Sequence, residues 1–352
     1  MSKKTISTLL QLVVFLGLGI ALMIWRYDAI SAKDKADMFE AFGHIRWIWV
    51  LPLFIVGFLA HYFRALRWKM LMHPLALRPS TANTVFAVLI GYLANALIPR
   101  LGEVAKCTIL AKYEKVPADQ LVGTIIAERA FDLVCLILLL LATLLLQFDI
   151  INPYARSLAG KIFLDAQGNV HWLRFGLAIV VAIIVIYLFI RLTRTFKKTK
   201  VGKIIQGIGD GLKSIGKIEN KGRFLLFTAL VWLMYIGLII IGFMAMPEMA
   251  GITLLASLAI LTFGSVGMIV TPGGIGVYPV IITEVLLLYG ISSGIGFAYG
   301  WVSWAAQTVI VVVFGSASLI LLPLYNRNRN NGRQKEHHIK EDNAPQATAT
   351  GG

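Results

Sequence analysis

Stretch after stretch of this chain stays apolar for close to the ~20 residues that a helix needs to cross a bilayer. "LVWLMYIGLIIIGFMAM" at 230–246 and "VCLILLLLATLLL" at 134–146 contain no Asp, Glu, Lys or Arg. In lipid every backbone N–H and C=O needs an internal partner, which leaves only helices and closed barrels. Continuous rather than alternating apolar runs select helices. Composition agrees, with 58% hydrophobic and 14% charged residues, where a soluble domain carries roughly 25% charged. The expected fold is an all-α, polytopic integral membrane helix bundle.

Spans are expected at about 6–26, 47–63, 82–99, 119–147, 173–192, 224–246, 251–271, 272–291 and 296–324. The first follows Lys3-Lys4 and, from Ile6 to Ile24, exceeds the ~7–15 apolar residues of a signal peptide, so it reads as a retained span. No soluble domain is evident. Residues 1–325 form the membrane domain, and 326–352, ending "APQATATGG", read as a disordered cytoplasmic tail.

Basic residues set the orientation. Arg64, Arg67, Lys69 and Arg78 crowd 64–81, and nine Lys/Arg occupy 193–223 against Asp210 and Glu219. The tail is also basic, whereas 27–46 and 148–172 are balanced or acidic. Both termini, 64–81 and 193–223 are therefore expected in the cytoplasm of a plasma (inner) membrane protein. The net charge of +15 is explained in this way and does not indicate nucleic acid. The segment 193–223 interleaves apolar residues at helical spacing, which suits either a membrane-surface helix or an ordinary basic loop.

Parity then constrains two polar interruptions. "GYLANALIPRLGEVAK" at 91–106 lies between two cytoplasmic positions, so 82–118 must enter the membrane and return. "VTPGGIGVYP" at 270–279 lies between two external positions, and its Pro and Gly residues cannot hold a regular helix. Both read as re-entrant or broken helix hairpins, in inverted orientation. Paired interruptions of opposite entry mark the substrate site of inverted-repeat transporters.

The candidate site residues follow. Arg100 and Glu103 share a helix face; either they close the hairpin by a salt bridge, or Arg100 holds an anionic headgroup while Glu103 balances that charge or binds an exchangeable cation. Asn95 either satisfies freed backbone groups or touches substrate. Glu128, Arg129 and Asp132 fall within five residues of "AERAFDL", with Arg129 in reach of Asp132. Each charge at the membrane centre costs about 2.5–3.5 kcal/mol, so the three need partners or water. Glu284 is an intramembrane acid that pairs with Arg100 or Arg129, relays a proton, or is a capped structural residue. Pro272, Gly273, Gly274 and Tyr278 form the second turn. His61 reads as interfacial, and Arg64, Arg67 and Trp68 read either as cytoplasmic interface anchors or as contacts to lipid headgroups. Cys107 and Cys135 make neither a disulfide framework nor a metal site. With no P-loop, nucleophile elbow or metal signature, no enzyme activity, cofactor or metal is expected.

The motifs "RALRW" (64–68), "NALIPRLGEVAKCTIL" (95–110), "AERAFDL" (127–133) and "TPGGIGVY" (271–278), in this order and spacing, resemble the flippase-like membrane domain typified by the transmembrane part of lysylphosphatidylglycerol synthase/flippase. The likeness extends over about residues 5–325. It implies a protein that moves a lipid between leaflets, with Asn95, Pro99, Arg100, Gly102, Glu103, Glu128, Arg129 and Asp132 at the matching positions. The soluble aminoacyl-transferring part of two-part members has no counterpart here, so lysine transfer is not expected. Pro279 stands where many members carry a Glu after the "PGG" turn, and Glu284 is the nearest acid.

The function expected is a lipid or lipid-linked-precursor translocase. Its partners are membrane lipids with anionic or lipid-linked headgroups, and a homo-oligomer is allowed. A secondary transporter of a small soluble solute is the alternative, followed by a membrane-embedded transferase acting on lipid-linked sugars.

Overall fold

The computed structural model describes residues 17–98, 101–150, 152, 172, 176, 180, 216 and 218–342. Its regular elements are all helical: α1 (17–29), α2 (Ala32–Gly43), α3 (Val50–Met72), α4 (Thr81–Leu97), α5 (Leu101–Glu114), α6 (Ala118–Leu146), α7 (Lys221–Ala245), α8 (Leu254–Val270), α9 (Val277–Leu287) and α10 (Ser293–Asp342). By length and composition, Trp47–Leu75, Ala118–Leu146, Lys221–Ala245 and Ser293–Arg329 can each cross a membrane. The apolar stretches Thr81–Leu97, Leu254–Ile269 and Val277–Leu287 are shorter. The span expected at 173–192 and nearly all of the basic segment 193–223 lie outside the described residues.

Local chemistry sets the element ends. Ser80 caps α4 by accepting the Asn83 N–H at 3.2 Å, satisfying one of the donors a helix start leaves open. At the other end Ile98 is extended (φ −137°, ψ 119°), as the residue before Pro99 must be. Thr271 is extended for the same reason before Pro272. Gly273, Gly274 and Gly276 then take φ of 66°, 72° and 74°, a region open to glycine at little cost. Both expected interruptions are thus real breaks between paired helices, α4 with α5 and α8 with α9.

Two buried cores divide the bundle. One gathers Trp68, Val88, Leu110, Leu121 and Phe224 from α3 to α7. The other gathers Met38, Ile239, Ile260, Ile282 and Tyr299 from α2 and α7 to α10. Each core holds one broken pair. Helix α6 serves both, through Leu121 and Ile125 in the first and Leu139 against the second. Lipid offers no hydrophobic drive between helices, so close van der Waals approach has to hold them. Gly91 and Gly102 permit it within the α4–α5 pair: a Cβ on Gly102 would strike the Gly91 carbonyl and Asn95.

Two boundaries move. Helix α3 continues to Met72 rather than ending near 63, which carries Arg64, Arg67 and Trp68 into the bundle. Helix α10 runs on through Asp342, so the division placed at 325/326 falls inside a helix. Asn326 is buried there, exchanging hydrogen bonds with Asn83 at 2.8 and 2.9 Å, and Arg329 donates to Glu114 at 2.7 Å.

Candidate functional site

The densest chemistry lies where α3, α5 and α6 meet. Helical spacing places Arg64 and Arg67 one turn apart on α3, and Glu128 and Asp132 one turn apart on α6, so the two ladders face each other. Arg64 meets Asp132 at 3.0 Å and Glu128 at 3.9 Å. Arg67 meets Asp132 at 2.6 Å and Glu128 at 3.2 Å. From α5, Lys106 Nζ reaches Glu128 at 3.1 Å and sits 4.5 Å from the Trp68 ring centre. The Trp68 indole N–H donates to Thr124 at 2.9 Å. Arg67 and Glu128 are 0% and 1% exposed.

Three cations therefore meet two carboxylates in a buried site. The Arg129–Glu103 pair at its edge, 3.0 Å apart, leaves that surplus unchanged. The donor inventory is also in excess. Nε of Arg64 and Nε and Nη1 of Arg67 are buried with no hydrogen-bond partner, three donors against one such acceptor in the cluster, Oδ1 of Asp132. Buried polar groups are almost always paired, so unpartnered guanidinium donors beside a surplus charge define a place suited to acceptor oxygens with negative charge.

The space beside the cluster is small. Val88, Gly91, Tyr92, Asn95, Gly102, Glu103, Lys106 and Arg129 line a cavity of about 10 Å³, room for about one water. A headgroup enters only if these helices part. Asn95 does the backbone work considered for it: its Oδ1 accepts the Gly102 N–H at 2.7 Å, bridging the break between α4 and α5. Arg129 is half-exposed, and Leu101 and Val104, which flank its partner Glu103 in α5, are exposed as well, so the cluster reaches an apolar part of the surface.

Several expected pairings are different. Arg129 pairs with Glu103, not Asp132; Arg64 and Arg67 hold Asp132 from across the bundle. Arg100 and Pro99 lie outside the described residues. Arg64, Arg67 and Trp68 are buried members of the cluster rather than interface anchors. His61 is also buried, its ring 4.4 Å from that of Tyr92.

Glu284 is remote from this cluster and pairs with Arg26 of α1 at 2.9 Å. Arg26 also donates to Ser293 at 2.9 Å. Around the second turn the Gly273 carbonyl accepts from the Trp304 indole at 2.7 Å. The Tyr278 hydroxyl accepts from Gln307 at 3.4 Å, and Pro272 begins the short 3-10 turn through Gly274. Backbone meets backbone here, since a Cβ on Gly276 would run into Gly19 of α1. The candidate residues thus divide into two groups: Asn95, Glu103, Glu128, Arg129 and Asp132 around the charge cluster, and Gly273, Gly274, Tyr278 and Glu284 around the second break. No group of three or more His, Cys, Asp or Glu suited to a metal occurs among the described residues.

A family model for the transmembrane region of lysylphosphatidylglycerol synthase matches residues 8–315. The chain belongs to that family. It is accordingly an integral membrane protein of a lipid-related family, and both groups of candidate residues lie inside the matched stretch. No curated protein and no solved structure matches it.

Of the four cations Arg64, Arg67, Lys106 and Arg26, the sequence gives no site role to Lys106 and Arg26 and places Arg64 and Arg67 at the interface, as anchors or headgroup contacts. A detectable signal existed for two of them. Cations three apart on one apolar helix and acids four apart on another are complementary ladders, and charges of that kind must find each other in lipid.

Proposed function

We propose that this protein moves the polar headgroup of a lipid, or of a lipid-linked precursor, from one leaflet to the other. The headgroup passes between α3, α5 and α6 while the acyl chains stay in lipid. One observation carries the reading: a buried cluster with one cation in surplus and unpartnered guanidinium donors on Arg64 and Arg67. An anionic, acceptor-rich headgroup supplies what that cluster lacks. The half-exposed Arg129–Glu103 pair and the exposed Leu101 and Val104 that flank Glu103 in α5 favour entry from the lipid side over a soluble solute. In this reading the two broken helix pairs are re-entrant and enter from opposite faces. The protein sits in the plasma membrane with both termini cytoplasmic, and it transports without catalysing a covalent step.

The test is reconstitution into vesicles with a fluorescent anionic phospholipid, followed by quenching of the outer leaflet. Arg67→Lys keeps a charge against Glu128 and Asp132 but deletes the unpartnered Nε and Nη1 donors. It is expected to slow exchange at least tenfold while the protein stays folded in detergent. Wild-type rates in a well-folded Arg67→Lys protein remove the proposal.

A further inference from the structure

The cation ladder of α3 continues one turn deeper into the membrane. His61 precedes Arg64 by three residues and so shares its face. It stands at the midpoint of the span Trp47–Leu75, fourteen residues from either end, a depth at which an ionisable side chain points to function. It is 8% exposed. Its ring lies 4.4 Å from that of Tyr92 on α4, and the Arg64 guanidinium lies 5.8 Å from the centre of the same Tyr92 ring. Tyr92 also lines the small cavity, together with Glu103, Lys106 and Arg129. One aromatic ring thus adjoins His61, Arg64 and the space beside the charge cluster.

Nδ1 of His61 is buried with no hydrogen-bond partner, where buried polar atoms are almost always paired. Among the described residues no carboxylate forms an ion pair with the ring. Arg64 is the charged neighbour on its own helix. Tyr92 faces it from α4, and Tyr235 of α7 stands near both Arg64 and Tyr92. Glu128 and Asp132 of α6 lie beyond Arg64, paired with it. Helix α10 brings only apolar Ile310 and Phe314 to the adjoining turn, against Gly57 and Phe58. Without an anion, a proton on His61 adds a fourth cation beside a cluster that already has one in surplus, and like charges one turn apart repel. An anion held by Arg64 and Arg67 cancels that surplus. Proton and anion therefore bind better together than apart, and the linkage is reciprocal.

Resting on the proposed headgroup transfer, we infer that His61 takes up a proton that accompanies the anionic headgroup through the bundle. The neutral ring becomes imidazolium as the headgroup enters and gives the proton back as it leaves. No covalent bond to the lipid forms. The protein is then a proton–lipid symporter, and a pH gradient draws the headgroup towards the alkaline side.

The linkage is read from the binding of dihexanoyl phosphatidylglycerol, a soluble lipid whose phosphodiester charge is constant near neutrality. Calorimetry on the detergent-purified protein compares about pH 6.5 with about pH 8.5, the range in which a histidine is open to protonation. One linked proton tightens binding by up to about tenfold per unit fall in pH. Wild type is expected to bind at least about tenfold more tightly at the lower pH. His61→Phe, which keeps a ring against Tyr92, and His61→Gln, which is polar and uncharged, should each lose that difference, so that either variant serves if the other does not fold. Arg67→Lys should bind more weakly at both pH values. If wild-type affinity is the same at both, or the difference persists in the His61 variants, while Arg67→Lys still weakens binding, the proton site is refuted and the headgroup reading stands. If wild type binds no lipid, or Arg67→Lys binds as well as wild type, the headgroup reading falls and the proton site with it. In vesicles with the membrane potential clamped, an alkaline lumen should move fluorescent phosphatidylglycerol to the inner leaflet with wild type and leave its distribution unmoved with His61→Phe. An unmoved distribution with wild type refutes the coupling.

Discussion

Glu128→Gln tests the charge cluster most directly. The substitution keeps size and removes one of two carboxylates facing three buried cations. Glu128 is 1% exposed and touches Arg67 at 3.2 Å and Lys106 at 3.1 Å. With an effective dielectric of ~20, each such contact is worth roughly 5 kcal/mol before desolvation. The amide recovers part of this through hydrogen bonds and avoids the cost of burying a charge. Breaking a buried pair from one side nets about 3–5 kcal/mol, a large share of the ~5–15 kcal/mol that holds a folded protein. Lys106→Met added to Glu128→Gln returns the cluster to a surplus of one cation and is expected to recover at least ~1 kcal/mol of the loss. Arg129→Gln, half-exposed, should cost less than ~1 kcal/mol. Unfolding titrations in mixed micelles, run on all four variants (Lys106→Met alone completes the cycle), measure these differences. A Glu128→Gln loss no larger than that of Arg129→Gln, or a double variant no better than the single, refutes the network.

Three further outcomes follow from other parts of the fold. Burial alone would raise the Glu114 carboxyl, but hydrogen bonds from Arg329, Ser80 and Asn83 outweigh it and hold it below the ordinary carboxylate range. A lowered folded value means that the stabilisation is full above the unfolded pKa and is lost as pH falls through the folded one. A spin label at position 328, in a Cys107→Ala/Cys135→Ala background, should gain mobility over that acid window, and Glu114→Gln should make it mobile and pH-independent. Gly276→Ala, with φ at 74° and Gly19 in the way, should cost more than ~3 kcal/mol. Gly123→Ala, facing open space within α6, should gain up to ~1 kcal/mol. Size-exclusion profiles after heating separate the two, and an intact Gly276→Ala protein would remove the role given to that contact.

Apolar length and Pro/Gly chemistry are local properties, so the helices and both breaks could be read directly from residues such as Ile98-Pro99 and Thr271-Pro272. Partnership is not local. Arg64 and Arg67 follow an apolar run and are basic, the same pattern that a snorkelling interface anchor shows. Only the Glu128/Asp132 ladder on α6 distinguishes the two cases. The nearest partner in sequence also misled: Arg129 lies three residues from Asp132, yet it bonds Glu103 across the bundle, because Arg64 and Arg67 already occupy Asp132. Glu284 likewise has its partner on α1, where no spacing rule reaches.

The contact between α1 and the second break has a consequence for biosynthesis. Arg26 and its acceptor Ser293 are 267 residues apart. At ~5–20 residues per second of synthesis, α1 waits roughly 13–53 s for the elements that complete its binding surface. Throughout that interval a cation and a bare glycine backbone stand at the edge of a half-built bundle. Whatever receives the nascent chain must hold α1 in reserve, and a ribosome stalled before Val277 would release a product whose first helix is marked by an unanswered charge.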